Sequence, residues 1–168
     1  GGRPQRAAPL HKEDAMTQTV KAADLPGLAG KELEPSEWLE ITQERVNQFA
    51  DATNDHQFIH VDPEKAAQTP FGGPIAHGFL SLSLLSYLNG QTAIVPENTV
   101  MGINYGSDKV RYLAPVRVGQ RIRARQTLLD VTEKKPGQWL FKYAVTVEIE
   151  GEDTPALVAE ILSMMVVA

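Results

Sequence analysis

Between residues 138 and 150 apolar and polar positions alternate. Trp139, Phe141, Tyr143, Val145, Val147 and Ile149 share one parity, and Leu140, Lys142, Ala144, Thr146, Glu148 and Glu150 share the other. A period of two is that of a strand with one buried and one wet face. Residues 99–113, 120–134 and 155–167 also read as long strands. Turn signals fall between them at Pro115 and Gly119, at Pro136-Gly137, and at Gly151-Glu152-Asp153. The second half of the chain therefore predicts an antiparallel meander.

The first half is helical in rhythm. Trp38 to Ile41 reads as a short strand and Thr42 as a helix cap, because its hydroxyl can accept from an orphan N–H of the first turn. Val46, Phe49, Ala50 and Thr53 follow at i, i+3, i+4 and i+7, predicting an amphipathic helix over 42–53 that Asn54-Asp55 ends. Asp62-Pro63 starts a second short helix, since Asp caps and Pro suits the first helical position. Pro70, Gly72, Gly73 and Pro74 close it with a loop. Residues 76–88 then run without a charge to Asn89-Gly90, a helix-stop pair. A helix apolar nearly all round is buried on most sides. At about 1.5 Å per residue it is also too short to cross a membrane. The combination is an α+β layout in which the sheet wraps one long helix.

Composition narrows the choices. Apolar residues are 42% and charged residues 22% of 168 positions, as in an ordinary globular chain of one domain. The formal charge of −5, from 16 Lys+Arg against 21 Asp+Glu, argues against a nucleic-acid partner. The absence of cysteine excludes disulfides, thiolate metal sites and a Cys nucleophile. Residues 1–15 carry Gly, Pro and mixed charges without an apolar period. They read as an expression remnant or loose tail before Met16, with the domain expected over 16–168. Residues 20–35 predict a loop with at most a short helix. No signal-peptide core is visible, which favours the cytoplasm, and no apolar run suggests a membrane partner.

Reactive side chains concentrate in residues 54–62 (NDHQFIHVD) and 74–78 (PIAHG). Asp55 and His60 suit general acid/base work on a shared water, because an imidazole exchanges protons near neutral pH and a carboxylate can orient the water. The N–H of Gly78, in the first turn of the apolar helix, lacks an intrahelical acceptor, and glycine lets a carbonyl approach closely. That is the donor needed where oxygen becomes negative. Each residue also has a bland role: Asn-Asp ends helices, His56 suits the surface, His77 suits a helix terminus, and Ser86 can bond back one turn. A metal site from His56 and His60, four apart, with Asp51, Asp55, Asp62 or His77 would need those histidines on a helix, whereas Asn54-Asp55 and Asp62-Pro63 argue for a loop and no H-E-x-x-H is present. No G-x-S-x-G elbow supports a serine nucleophile. Lys109 and Arg111 share one strand face, and Arg121, Arg123 and Arg125 share another. They are solvated faces or, more sharply, phosphate contacts.

Jointly the motifs resemble those of the MaoC-like dehydratases, which include (R)-specific enoyl-CoA hydratases and nodulation-protein-N-like members. Phe49 leads into Asp55, His60 and Asp62, then Phe71-Gly-Gly-Pro74-Ile-Ala-His77-Gly78-Phe79, then Lys109 to Gly119. The family's Asn-Pro is replaced here by Gln57-Phe58, as in the nodulation-protein-N-like group, with the Asp-to-His spacing kept. The resemblance implies a hot-dog fold and a homodimer whose active sites lie near the subunit boundary. It implies that Asp55 activates a water adding to a trans-2-enoyl thioester while His60 protonates the alpha carbon. The Gly78 N–H would bind the thioester oxygen, Ser86 would support the catalytic loop, and His77 would assist. Phe58 and Ile75 would meet the acyl group, and Lys109 and Arg111 the coenzyme A phosphates. No metal or redox cofactor is implied, coenzyme A being part of the substrate. A thioesterase is the nearest alternative, although the hot-dog thioesterases more often carry an acidic group on the central helix. A non-catalytic acyl-CoA-binding module is another.

Overall fold

In the computed structural model the described residues are 17–168; the expected tail over 1–15 and the start at Met16 lie outside them. Strand β1 (Gln18–Val20) precedes a 3-10 helix (Ala22–Leu28) and the two-residue strand β2 (Leu39–Glu40). Helices α1 (Gln43–Thr53), α2 (Phe58–Val61) and α3 (Pro63–Ala67) follow. The apolar segment forms α4 (Gly78–Ser83) and α5 (Leu85–Gly90), and strands β3 (Ile94–Pro96), β4 (Thr99–Tyr112), β5 (Arg121–Lys135), β6 (Gln138–Ile149) and β7 (Leu157–Val167) complete the chain.

The five-stranded sheet has the order β2-β5-β6-β7-β4, and every pairing in it is antiparallel. The expected meander holds for β5, β6 and β7. Strand β4 departs from it: it precedes β5 in sequence yet pairs with β7 at the far edge, so the chain crosses the sheet between β4 and β5. β4 also shifts register against β7 at three places, between Thr99 and Met101, Asn104 and Gly106, and Ser107 and Lys109. Such bulges bend a strand and raise its twist, which curls this edge around the helix. β1 lies parallel to β3, joining the start of the described chain to the segment just after the helix.

The apolar parity of β6 faces inward as predicted: Phe141, Tyr143, Val145, Val147 and Ile149 are buried. They meet Ile122, Ala124 and Leu128 from β5 and Leu80, Leu84, Leu85 and Leu88 from the helix in one core. A fully buried side chain such as Leu88 or Phe141 contributes roughly 1.5–3 kcal/mol by leaving water.

α4 and α5 act as one rod, because Leu84 N–H donates to Leu80 O at 3.0 Å and Leu88 N–H to Leu84 O at 2.9 Å across the joint. The rod begins at Gly78 rather than Ala76, whose N–H is taken by Val116 O at 2.7 Å, leaving His77 extended as the cap. Burial on most sides is corrected. A single curled sheet covers one side, and Phe79 (70% exposed), Ser83, Ser86 and Tyr87 (59% exposed) lie on the open one.

The arginine face of β5 is likewise explained within the sheet. Arg123 and Glu148 face each other in register and pair at 2.8 Å, Arg125 reaches diagonally to the same carboxylate, and Arg121 pairs with Glu150. Arg123 also stacks 4.3 Å over the Trp38 ring. These arginines are therefore not free phosphate contacts.

Candidate active site

The local structure around Asp55 and His60 follows from short-range chemistry. The Thr42 hydroxyl accepts from Arg45 N–H at 3.1 Å, starting α1, and Asn54 ends it in the left-handed region at φ 59°. Asn tolerates that conformation, so the chain turns sharply just before Asp55. The Asp55 carboxylate then accepts from Gln57 N–H at 3.3 Å. The single turn of α2, which the sequence pattern does not announce, swings His60 inward. Asp62 caps α3 through Lys65 N–H at 3.1 Å, as predicted.

The loop before the central helix supplies the other wall. Ile75 N–H donates to Ile59 O at 3.0 Å, and Ile75 O accepts from His60 Nδ1 at 2.6 Å. A carbonyl only accepts, so Nδ1 carries the hydrogen and Nε2 keeps its lone pair in the neutral ring. His77 Nε2 donates in the same way to Asp55 O at 2.9 Å, tying the Asp55 loop to the cap of the helix. The two imidazoles stack at 3.8 Å with 23° between planes, and Phe49 closes on His77 at 4.9 Å. His60 and His77 are 7% and 3% exposed, whereas Asp55 is exposed.

Burial pushes the His60 pKa below its usual value. The Ile75 carbonyl opposes the shift, His77 adds to it, and Asp55 opposes it weakly. His60 is therefore a neutral base at physiological pH, aimed by one hydrogen bond.

A cavity of about 440 Å³ opens beside it, lined by His60, Ile75, Gly78, Phe79 and Tyr112 among others. A side chain at Gly78 would have to push the Tyr112 ring aside: a Cβ would lie 2.8 Å from Tyr112 Cε1 and 3.0 Å from Cζ. Tyr112, which sequence reasoning did not single out, thus forms a wall of the site. Its only signal was an aromatic side chain at the end of a strand within the Lys109 to Gly119 motif.

The structure brings together Asp55, His60 and His77; of the three, His60 lines the cavity, together with Ile75 and Gly78. It does not bring Ser86 there. Ser86 lines a second cavity, and among the described residues it makes no side-chain hydrogen bond to the Asp55 loop. Phe58 is 44% exposed and lines neither cavity. Lys109 and Arg111 project from exposed positions on β4, Lys109 being 3.9 Å from Glu160.

One ligand atom from each of Asp55, His60 and His77 falls within a 4.8 Å group. Nearly parallel stacked rings do not converge their lone pairs on one tetrahedral point, and two of the ring nitrogens are committed to carbonyls. The donor set suits proton transfer better than an ion.

The profile of the "MaoC like domain" matches residues 24–151, from the 3-10 helix through β6 to the turn after it. The chain belongs to the MaoC-like family. This MaoC-like chain is 50% identical over 141 residues to nodulation protein N of Rhizobium meliloti, covering 83% of this chain and 88% of the relative. It is 51% identical over 145 residues to 3-hydroxyacyl-thioester dehydratase Z of Mycobacterium tuberculosis, covering 86% and 95%. Among solved structures, the (R)-hydratase from A. caviae involved in PHA biosynthesis matches with a TM-score of 0.65 at 27% identity, covering 80% of this chain and 94% of that one. The fold is that of the MaoC-like hot-dog hydratases, a curled antiparallel sheet around a helix. Relatives with these names support a hydro-lyase activity.

Proposed function

We propose that the chain hydrates trans-2-enoyl-CoA to (R)-3-hydroxyacyl-CoA and catalyses the reverse dehydration. The observation that carries this reading is the buried His60, its Nδ1 committed to Ile75 O and its Nε2 left free, beside Asp55 and in the same cavity as Gly78.

The lowered pKa and the free Nε2 of His60 support one order of proton steps. Asp55 orients a water, and neutral His60 takes one of its protons at Nε2. The water oxygen bonds to C3, and the C2–C3 π electrons move into the thioester as an enolate. The Gly78 N–H donates to the developing oxyanion. The imidazolium then returns its proton to C2, so the net change is addition of one water. His60 is thus base first and acid second, which merges the divided roles expected from sequence. Dehydration runs the same steps backwards. The (R) hand rests on the similarity to the A. caviae enzyme.

No step calls on a metal or redox cofactor, and coenzyme A enters as part of the substrate. A homodimer fits the open side of the helix and the free edge of β4. No described helix is long and apolar enough to cross a membrane.

The test is loss of enoyl-thioester absorbance on trans-2-butenoyl-CoA, with free thiol followed in parallel. Hydration without thiol release is expected, and Asp55→Asn should cut turnover at least about a hundredfold while substrate affinity holds. Wild-type turnover in that variant would overturn the assignment, and thiol release would make the protein a thioesterase.

A further inference from the structure

The polar residues buried among the described ones are Ser36, His60, His77, Ser81, Thr92 and Gln126. All but Ser81 use their side chains in hydrogen bonds. Ser36 Oγ donates to Glu37 O at 3.0 Å and accepts from Ala124 N–H at 2.9 Å, and Gln126 Nε2 donates to Thr92 Oγ1 at 3.0 Å. The two histidines hold the carbonyls of Ile75 and Asp55. Ser81 is 3% exposed, and its hydroxyl makes no hydrogen bond among the described residues.

An unpaired buried polar atom is either sealed in or open to a space. The sealed ones are His77 Nδ1, Asn89 Oδ1, Gln126 Oε1 and Tyr143 Oη. Ser81 Oγ is not among them, so it keeps surface, and the space it meets is the cavity that Ser81 lines with His60 and Gly78. A helical hydroxyl ordinarily bonds back one turn, as Ser83 Oγ does to Phe79 O at 2.6 Å. For Ser81 that acceptor is taken. His77 O already receives Leu80 N–H at 3.0 Å and Ser81 N–H at 3.3 Å, one for each lone pair.

Ser81 lies three residues beyond Gly78, so the two share one side of the rod, and a helical Cα–Cβ bond tilts toward the N-terminus. The hydroxyl is thereby carried back over the turn that holds the Gly78 N–H. No Asp, Glu, Lys or Arg lines this cavity, and neutral His60 offers it a lone pair rather than a donor. An N–H and an O–H on one face of the helix suit a single neutral acceptor.

We infer that Ser81 is a catalytic residue whose hydroxyl donates, beside the Gly78 N–H, to the carbonyl oxygen of the acyl thioester. This deepens the hydratase reading and rests on it for the reaction. The thioester oxygen gains negative charge only as the enolate forms, so a donor fixed there counts most in the transition state. Only a hydrogen bond forms, and the serine O–H stays whole.

Two measurements on the full chain test the inference: kinetics on trans-2-butenoyl-CoA, and difference infrared spectra of bound butanoyl-CoA isotope-labelled at the thioester carbonyl. Butanoyl-CoA has no double bond to hydrate. Ser81→Ala should lower kcat at least about tenfold with KM little changed. The carbonyl band, drawn to lower frequency on binding wild type, should move part of the way back in Ser81→Ala. Thermal stability should hold or rise, since the hydroxyl has no protein partner to lose and alanine favours the helix. Ser81→Thr, which keeps a hydroxyl, should lose less turnover than Ser81→Ala. An unchanged band or wild-type kcat in Ser81→Ala, a marked loss of its stability, or failure of butanoyl-CoA to bind wild type would overturn the inference. A band that responds to Ser81→Ala, in a protein that hydrates no enoyl-CoA, would overturn the proposed reaction and leave Ser81 standing as a donor to the thioester.

Discussion

His60 carries a sign that can be read in two ways. Burial lowers its pKa from the ordinary 6.5, so between the folded value and 6.5 the unfolded chain binds the extra proton. Its contribution to stability is full above pH 6.5 and falls away as pH drops toward the folded value, below which it no longer changes. Urea unfolding across this window should show stability rising with pH, and His60→Gln should flatten that part of the curve. In the active protein the acid limb of kcat/KM should lie below pH 6.5, where Nε2 becomes protonated; a limb above 6.5 would contradict the buried, neutral base. At this scale the sequence was legible where chemistry is local. Thr42 and Asp62 cap because their oxygens reach N–H groups three residues on. The stack of His60 on His77 was not legible, because it joins positions 17 apart through the Ile75 carbonyl and the Asp55 loop.

Elements show where pattern suffices and where it stops. Strict alternation placed β6, and charge-free length placed the helix. The partners of β4 could not be read, because an alternating strand states which face is buried and not which neighbour it meets. The exposed side of the helix was missed for a related reason: an all-apolar segment says that cover is needed without saying which chain supplies it. Gly78 joins element to site. Gly78→Ala should displace the Tyr112 ring, at a cost of about 1–3 kcal/mol for overpacking, and hold a substrate carbonyl off the first-turn N–H. Thermal unfolding should show a modest loss of stability, and kcat/KM a larger one, at least about tenfold. Equal losses in both would reduce Gly78 to a packing residue.

At the scale of the whole molecule, one flank is bare among the described residues. β4 ends the sheet order, and Val100, Met101, Ile103 and Tyr105 are exposed along it, while Phe79 and Tyr87 are exposed on the helix. An edge strand carrying so many large apolar groups invites pairing. Sedimentation should find a dimer, and the double substitution Met101→Lys with Tyr105→Lys should shift it toward monomer and lower turnover. An unchanged sedimentation coefficient in that variant would place the interface elsewhere. The resemblance made a dimer expected, and the bare strand supplies the physical reason, which composition does not hold.

The two cavities divide the central helix between them. Gly78, Phe79 and Ser81 border the one with His60, and Leu82, Ser83, Leu85, Ser86 and Asn89 border the other. Successive turns of one rod thereby border two separate spaces. Substitutions in the later turns can therefore reshape one space while leaving the wall beside His60 intact, a modularity that lets one rod be altered in parts.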